Sequence, residues 1–142
     1  MKKEYEKKLM NIQAELVSLC MGAVENLSVN KIYLYEDMAD YGYSFNALVE
    51  INGEPQSLGK AGLNRKINSA LLREGVVELK KLRRLCEEYE VPRPTEIKAT
   101  YDVETGGFEM ECEYDTIDVD VGEALEIWMD EIKAAKAAGT QA

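Results

Sequence analysis

Phe108, Met110, Cys112 and Tyr114 alternate with Glu109, Glu111, Glu113 and Asp115 in one unbroken run. Successive side chains of a β-strand point to opposite faces, so this spacing puts four carboxylates on one face, about 6.8 Å apart. Carboxylates at that pitch repel one another. A face that carries them either stays hydrated or receives cations. In charge and rough spacing they resemble a nucleic-acid backbone, which suits the basic groove of a nuclease. The chemistry expected here is recognition of a cationic protein surface, with Asp118 and Asp120 continuing the acidic run. The competing reading is a hydrated sheet face whose charge prevents edge-to-edge aggregation.

Other chemistry has less support. The chain contains no histidine to serve as a general base. It has no serine elbow, phosphate loop or dinucleotide fingerprint. Cys20, Cys86 and Cys112 lack the imidazole partner that a thiol nucleophile usually needs. Paired carboxylates alone can do acid–base work, but with 27 Asp and Glu residues their presence is uninformative. Asp115, Asp118, Asp120 and Glu123 are hard oxygen ligands near a turn, yet they depart from the spacing of a calcium loop. A capped helix start explains them better. No metal, cofactor or catalytic residue is therefore expected.

Tyr33, Tyr35, Tyr41 and Tyr43 lie close to Glu36, Asp37 and Asp40. Tyrosine is enriched at interface hot spots, so Tyr33 and Tyr35 join the expected contact residues. The alternative is that half of these rings are core. Lys80, Lys81, Arg83 and Arg84 are basic but sit among Glu78, Glu87, Glu88 and Glu90, which reads as a salt-bridged helix face.

The elements that must position these residues follow from periodicity. Residues 4–26 place Tyr5, Leu9, Ile12, Leu16, Cys20 and Val24 at helical steps. Residues 31–37 read as a strand with Ile32 and Leu34 on one face and Tyr33 and Tyr35 on the other. A turn at Asp40-Tyr41-Gly42 leads into a strand over 43–51. Asn52-Gly53 signals a tight hairpin, and Pro55 confines a short strand over 54–58 to a sheet edge. Asn64 caps a helix over 65–89, where Gly75 predicts a kink or a split.

Pro92 and Pro94 end that helix, and residues 95–103 alternate again. Pairing Val103 with Phe108 puts Lys98 opposite Glu113, Thr100 opposite Glu111 and Asp102 opposite Glu109. Lys98 is then the one base near the carboxylates. Asp120 to Glu123 forms a capping-box pattern before a last helix bearing Leu125, Trp128 and Ile132. Residues 134–142 read as a flexible tail. The expected fold is α+β, an antiparallel sheet of four to five strands packed on one side by helices, in the order α-β-β-(β)-α-β-β-α.

At 142 residues the chain is expected to form a single domain, residues 1–142. Its net charge of −10 is local. Between Ala99 and Ile132 there are twelve acids and no Lys or Arg, whereas the rest of the chain holds 17 bases and 15 acids. That balance argues against direct nucleic-acid binding. Three cysteines without zinc or disulfide spacing suggest buried thiols in a reducing cytoplasm. Asn11, Gln13 and Glu15 interrupt any signal-peptide core, and no apolar run is long enough to span a membrane.

In order and texture the chain resembles the YezG-like immunity proteins of bacterial polymorphic toxin systems. The resemblance rests on a first helix leading into Lys31-Ile32-Tyr33-Leu34-Tyr35, a strand around Tyr43-Ser44-Phe45 and a long Leu- and charge-rich helix. It continues through Tyr101-Asp102, Gly107-Phe108 and Glu113-Tyr114-Asp115 to a helix containing Trp128. The loop from Gly53 to Leu63 and the Ala-rich end depart from the pattern. The resemblance implies a cytoplasmic antidote that binds one toxin domain, commonly a nuclease, and implies no catalytic residues. The expected function is stoichiometric neutralisation of a basic cognate toxin. The alternative is a secretion chaperone or adaptor that holds a partner protein through apolar surface.

Overall fold

The computed structural model describes residues 2–39, 42–117 and 119–139. The elements are α1 (Lys2–Ala23), β1 (Lys31–Asp37), β2 (Ser44–Ile51), β3 (Glu54–Ser57), α2 (Arg65–Glu88), β4 (Glu96–Asp102), β5 (Phe108–Glu113) and α3 (Val121–Gly139). The strands form one antiparallel sheet in the order β3-β2-β1-β4-β5. This is the α+β fold expected from the pattern of helical and alternating segments. Of the expected turn at Asp40-Tyr41-Gly42, the first two residues lie outside the described part. The Gly42 amide bonds the Ala39 carbonyl at 3.2 Å.

Local signals act where they occur. Asn52 and Gly53 both have positive φ, 54° and 79°, as a two-residue hairpin turn between β2 and β3 requires. Asn64 Oδ1 accepts from the amides of Lys66 and Ile67 at 2.8 and 3.4 Å and starts α2. Gly75 does not split this helix, which runs unbroken from Arg65 to Glu88. A Cβ there would lie 2.2 to 2.9 Å from atoms of the Phe45 side chain. The glycine is a close-approach residue that lets α2 settle onto β2.

The helices do not share one side of the sheet, which corrects the one-sided packing expected from sequence. Ile32, Leu34, Phe45, Ala47, Val49, Ile97 and Ala99 face α1 and α2 in the main core. Tyr33, Tyr35 and Leu48 project from the other face and pack with Ala124 and Trp128 of α3. β1 is consequently buried on both sides, from Ile32 through Glu36. The rings of Tyr33 and Trp128 meet edge-on, with centroids 5.7 Å apart. α3 also runs on past Ala134, where composition predicts a tail, and Lys136 Nζ reaches Glu50 Oε1 at 2.8 Å.

Candidate functional site

The α3 side of the sheet also carries the acidic row. α3 covers β1 and β2, and β5 lies beyond it at the sheet edge. Glu109, Glu111 and Glu113 are exposed, while Phe108, Met110 and Cys112 alternate with them, half-buried against the main core. The alternation read from sequence therefore assigns both faces correctly.

The register differs by two residues. Tyr101 pairs with Phe108, Ala99 with Met110 and Ile97 with Cys112, so Lys98 stands opposite Glu111 and Thr100 opposite Glu109. The turn explains the shift. Asp102 Oδ1 accepts from the amides of Glu104 and Thr105 at 2.9 and 3.1 Å. The Asp102 amide bonds the Gly107 carbonyl at 2.9 Å, and Gly106 takes a φ of 79° to close the loop. The Val103 amide turns away to the Asn30 carbonyl at 2.9 Å and is not available to Phe108. Asp102 thus organises the turn and does not face Glu109.

The row has three teeth, not four. Thr95 Oγ1 donates to the carbonyls of Glu113 and Asp115 at 3.1 and 2.6 Å, and this curls the chain out of the strand after Glu113. Asp115 and the exposed Tyr114 lie beyond β5. Asp120 caps α3: its Oδ1 accepts from the Glu123 amide at 2.8 Å. That carboxylate is engaged in helix initiation. Asp118 lies outside the described residues. Tyr33 and Tyr35 are 5% and 0% exposed and sit beneath Trp128, so they are core residues and not the surface contacts expected.

Electrostatics separates the β5 glutamates from the other acids on this face. Glu50 accepts from Tyr33 Oη at 3.3 Å and pairs with Lys136. Glu96 accepts from Tyr35 Oη. Lys98 Nζ lies 3.9 Å from Glu96 and from Glu131 and 5.8 Å from the Trp128 ring centroid. Lys98 is therefore drawn towards α3 although its backbone is opposite Glu111. Among the described residues, no ion pair or side-chain hydrogen bond engages the carboxylates of Glu109, Glu111 or Glu113. Between them and α3 lies a cleft of about 410 Å³ bordered by Lys98, Thr100, Glu109, Glu111 and Trp128.

Two buried polar residues escaped the sequence reading. Gln13 Nε2 donates to Glu36 Oε1 at 2.8 Å, and both residues are almost fully enclosed. Burial without a cation pushes the Glu36 carboxyl up to about 8, opposed only by the Gln13 bond. Glu36 continues the inward series Ile32, Leu34, and Gln13 shares a helical face with Leu16, Cys20 and Val24. Those periodicities were signals enough to place both in the core. Burial also raises the thiols of Cys86 and Cys112, and that of Cys20 to about 12, which disfavours the reactive thiolate form.

The basic residues of α2 are placed as the charge pattern suggests. Lys81 pairs with Glu78 at 2.9 Å and Arg83 with Glu87 at 3.2 Å. Among the described residues, no three His, Cys, Asp or Glu side chains are grouped to hold a metal ion. No described helix is long and apolar enough to cross a membrane. The site thus belongs to an α+β protein with a three-glutamate edge strand. Comparison with family models and with curated protein sequences finds no match to this chain.

Proposed function

We propose that this chain is an immunity protein: a cytoplasmic antidote that binds a basic toxin domain, a nuclease foremost, and neutralises it by occlusion. The observation that carries the reading is the contrast on one sheet face. Glu50 and Glu96 have partners, whereas Glu109, Glu111 and Glu113 project to solvent with none among the described residues. Like charges at strand spacing repel, and a cationic surface relieves that repulsion. The twelve acids without a base between Ala99 and Ile132 extend the same field and favour fast association with a basic partner. The resemblance to YezG-like proteins supports an antidote role.

The test is co-expression with the protein encoded immediately upstream, scoring growth rescue and complex formation. Replacing Glu109, Glu111 and Glu113 together by Lys is expected to weaken the complex by about 3 kcal/mol, roughly a hundredfold. Unchanged affinity in a folded variant would sink the acidic-face reading.

A second reading, a chaperone or adaptor acting through apolar surface, draws on a groove of about 430 Å³ lined by Met10, Ala14, Val17, Met21, Tyr101 and Phe108. Salt separates the two. A complex made through the glutamates weakens as ionic strength rises, and one made through this groove does not.

A further inference from the structure

The two edges of the sheet are built differently. β3 has four residues, includes Pro55, and carries α3 against it. β5 has six residues, none of them Pro or Gly. The bond from the Asp102 amide to the Gly107 carbonyl fixes which residues of β5 turn their backbone towards β4. By antiparallel alternation these are Glu109, Glu111 and Glu113, and the amides and carbonyls of Phe108, Met110 and Cys112 point outward along the open edge. Exposed backbone of this kind is a template for another strand.

The two sides flanking that edge differ in chemistry. On the α1 side the apolar groove opens over Tyr101 and Phe108, with Met10 and Met21 both exposed at its rim. Gln13 also lines this groove, and its Oε1 is buried without a partner. On the α3 side stand the three glutamates. A strand laid along β5 would place alternate side chains on these two sides, within cross-strand reach of the residues already there. A second copy of β5 fits poorly, because continuing the sheet across a two-fold axis sets glutamate beside glutamate.

We propose that β5 receives an extended segment of the partner protein by strand addition. In that segment apolar residues face the α1 groove and alternate with Lys or Arg facing Glu109, Glu111 and Glu113. Backbone bonds to Phe108, Met110 and Cys112 supply the register, and the two sets of side chains supply the selectivity. The inference rests on the reading of the glutamate row as a docking face and specifies how the partner meets it.

The probe is a capped peptide of about eight residues, alternating Val and Lys, long enough to span β5. Amide exchange of the isotope-labelled protein is followed by NMR. Exchange is expected to slow at least tenfold at Phe108, Met110 and Cys112, with no change along Glu54 to Ser57. Replacing Lys by Glu in the peptide, or Glu109 and Glu111 by Lys in the protein, should weaken binding by roughly tenfold or more. The proposal is overturned if peptide at about 1 mM produces no slowing at those three amides, or if the acidic peptide slows them equally. Slowing on β3 instead would equally overturn it, as would concentration-dependent slowing without peptide, which marks self-pairing. The two readings fail separately. If the triple Lys variant loses the upstream partner while the β5 amides of the wild-type complex still exchange freely, the docking face stands and strand addition falls.

Discussion

Glu50 and Glu111 stand on the same face of the same sheet and meet opposite fates. Glu50, on β2, is 5% exposed, accepts from Tyr33 Oη and pairs with Lys136 of α3. Glu111, on β5, projects to solvent, and the lysine opposite it leans away to Glu96, Glu131 and Trp128. The half of the sheet under α3 has its acids neutralised and its tyrosines buried. The half beyond α3 keeps its charge available. The difference lies in coverage: one helix crosses β1 and β2, and that placement divides engaged acids from acids left to solvent.

The covered half should break first. Trp128→Ala removes the ring that seals Tyr33 and Tyr35 and is expected to cost about 3–5 kcal/mol in urea denaturation followed by circular dichroism. A loss below about 1 kcal/mol would mean that α3 does not seal this half.

Glu36 gives the next largest effect, through pH. Burial pushes its folded carboxyl from the ordinary value of 4.5 up to about 8. The folded state holds the proton more tightly than the unfolded chain. The stabilising contribution is therefore complete below about 4.5, declines as pH rises, and is gone above about 8. Between pH 5 and pH 8 the decline should be on the order of 3 kcal/mol, and it should disappear in Glu36→Gln. Denaturation midpoints at pH 5 and pH 8 measure it, and equal slopes for the two proteins would contradict the buried neutral carboxyl.

Gly75→Ala sets a methyl group into the Phe45 ring and is expected to cost about 1–3 kcal/mol by overpacking. Phe45→Leu should recover part of that loss if the clash is the cause. A stabilised Gly75→Ala protein would show that α2 has room to shift.

The smallest effects test the contrast between Glu50 and Glu111 directly. Glu50→Ala leaves the buried Tyr33 hydroxyl without its acceptor and should cost about 1–2 kcal/mol. Glu111→Ala should stay within about 0.5 kcal/mol, since nothing in the fold depends on that carboxylate. Equal losses would erase the distinction between the two halves.

Much of this arrangement was legible beforehand. The alternation of Phe108 to Glu113 assigned each side chain to its face, and Ile32/Leu34 against Tyr33/Tyr35 did the same for β1. Such assignments rest on a period of two, which the chain carries locally. Tyr33 and Tyr35 were misplaced for an equally physical reason. A tyrosine on a strand face suits an interface as well as a core, and only the covering helix decides between them. Asp120 was readable as a cap and as a contact residue, and the Glu123 amide engages it as a cap.

The sequence by itself determined the order of the elements, the Asn52-Gly53 turn, the caps at Asn64 and Asp120 and the sidedness of β5, because each depends on residues within a few positions of one another. Tertiary structure alone decided the β4–β5 register. Moving one strand by two residues leaves every side chain on its face, so alternation cannot distinguish the two pairings. The contact of β4 with the chain entering β1 makes the choice: the Val103 amide bonds the Asn30 carbonyl and is withdrawn from Phe108. Tertiary structure also decided which carboxylates are engaged, since the position of α3 and the direction taken by Lys98 arise from packing between residues distant in the chain.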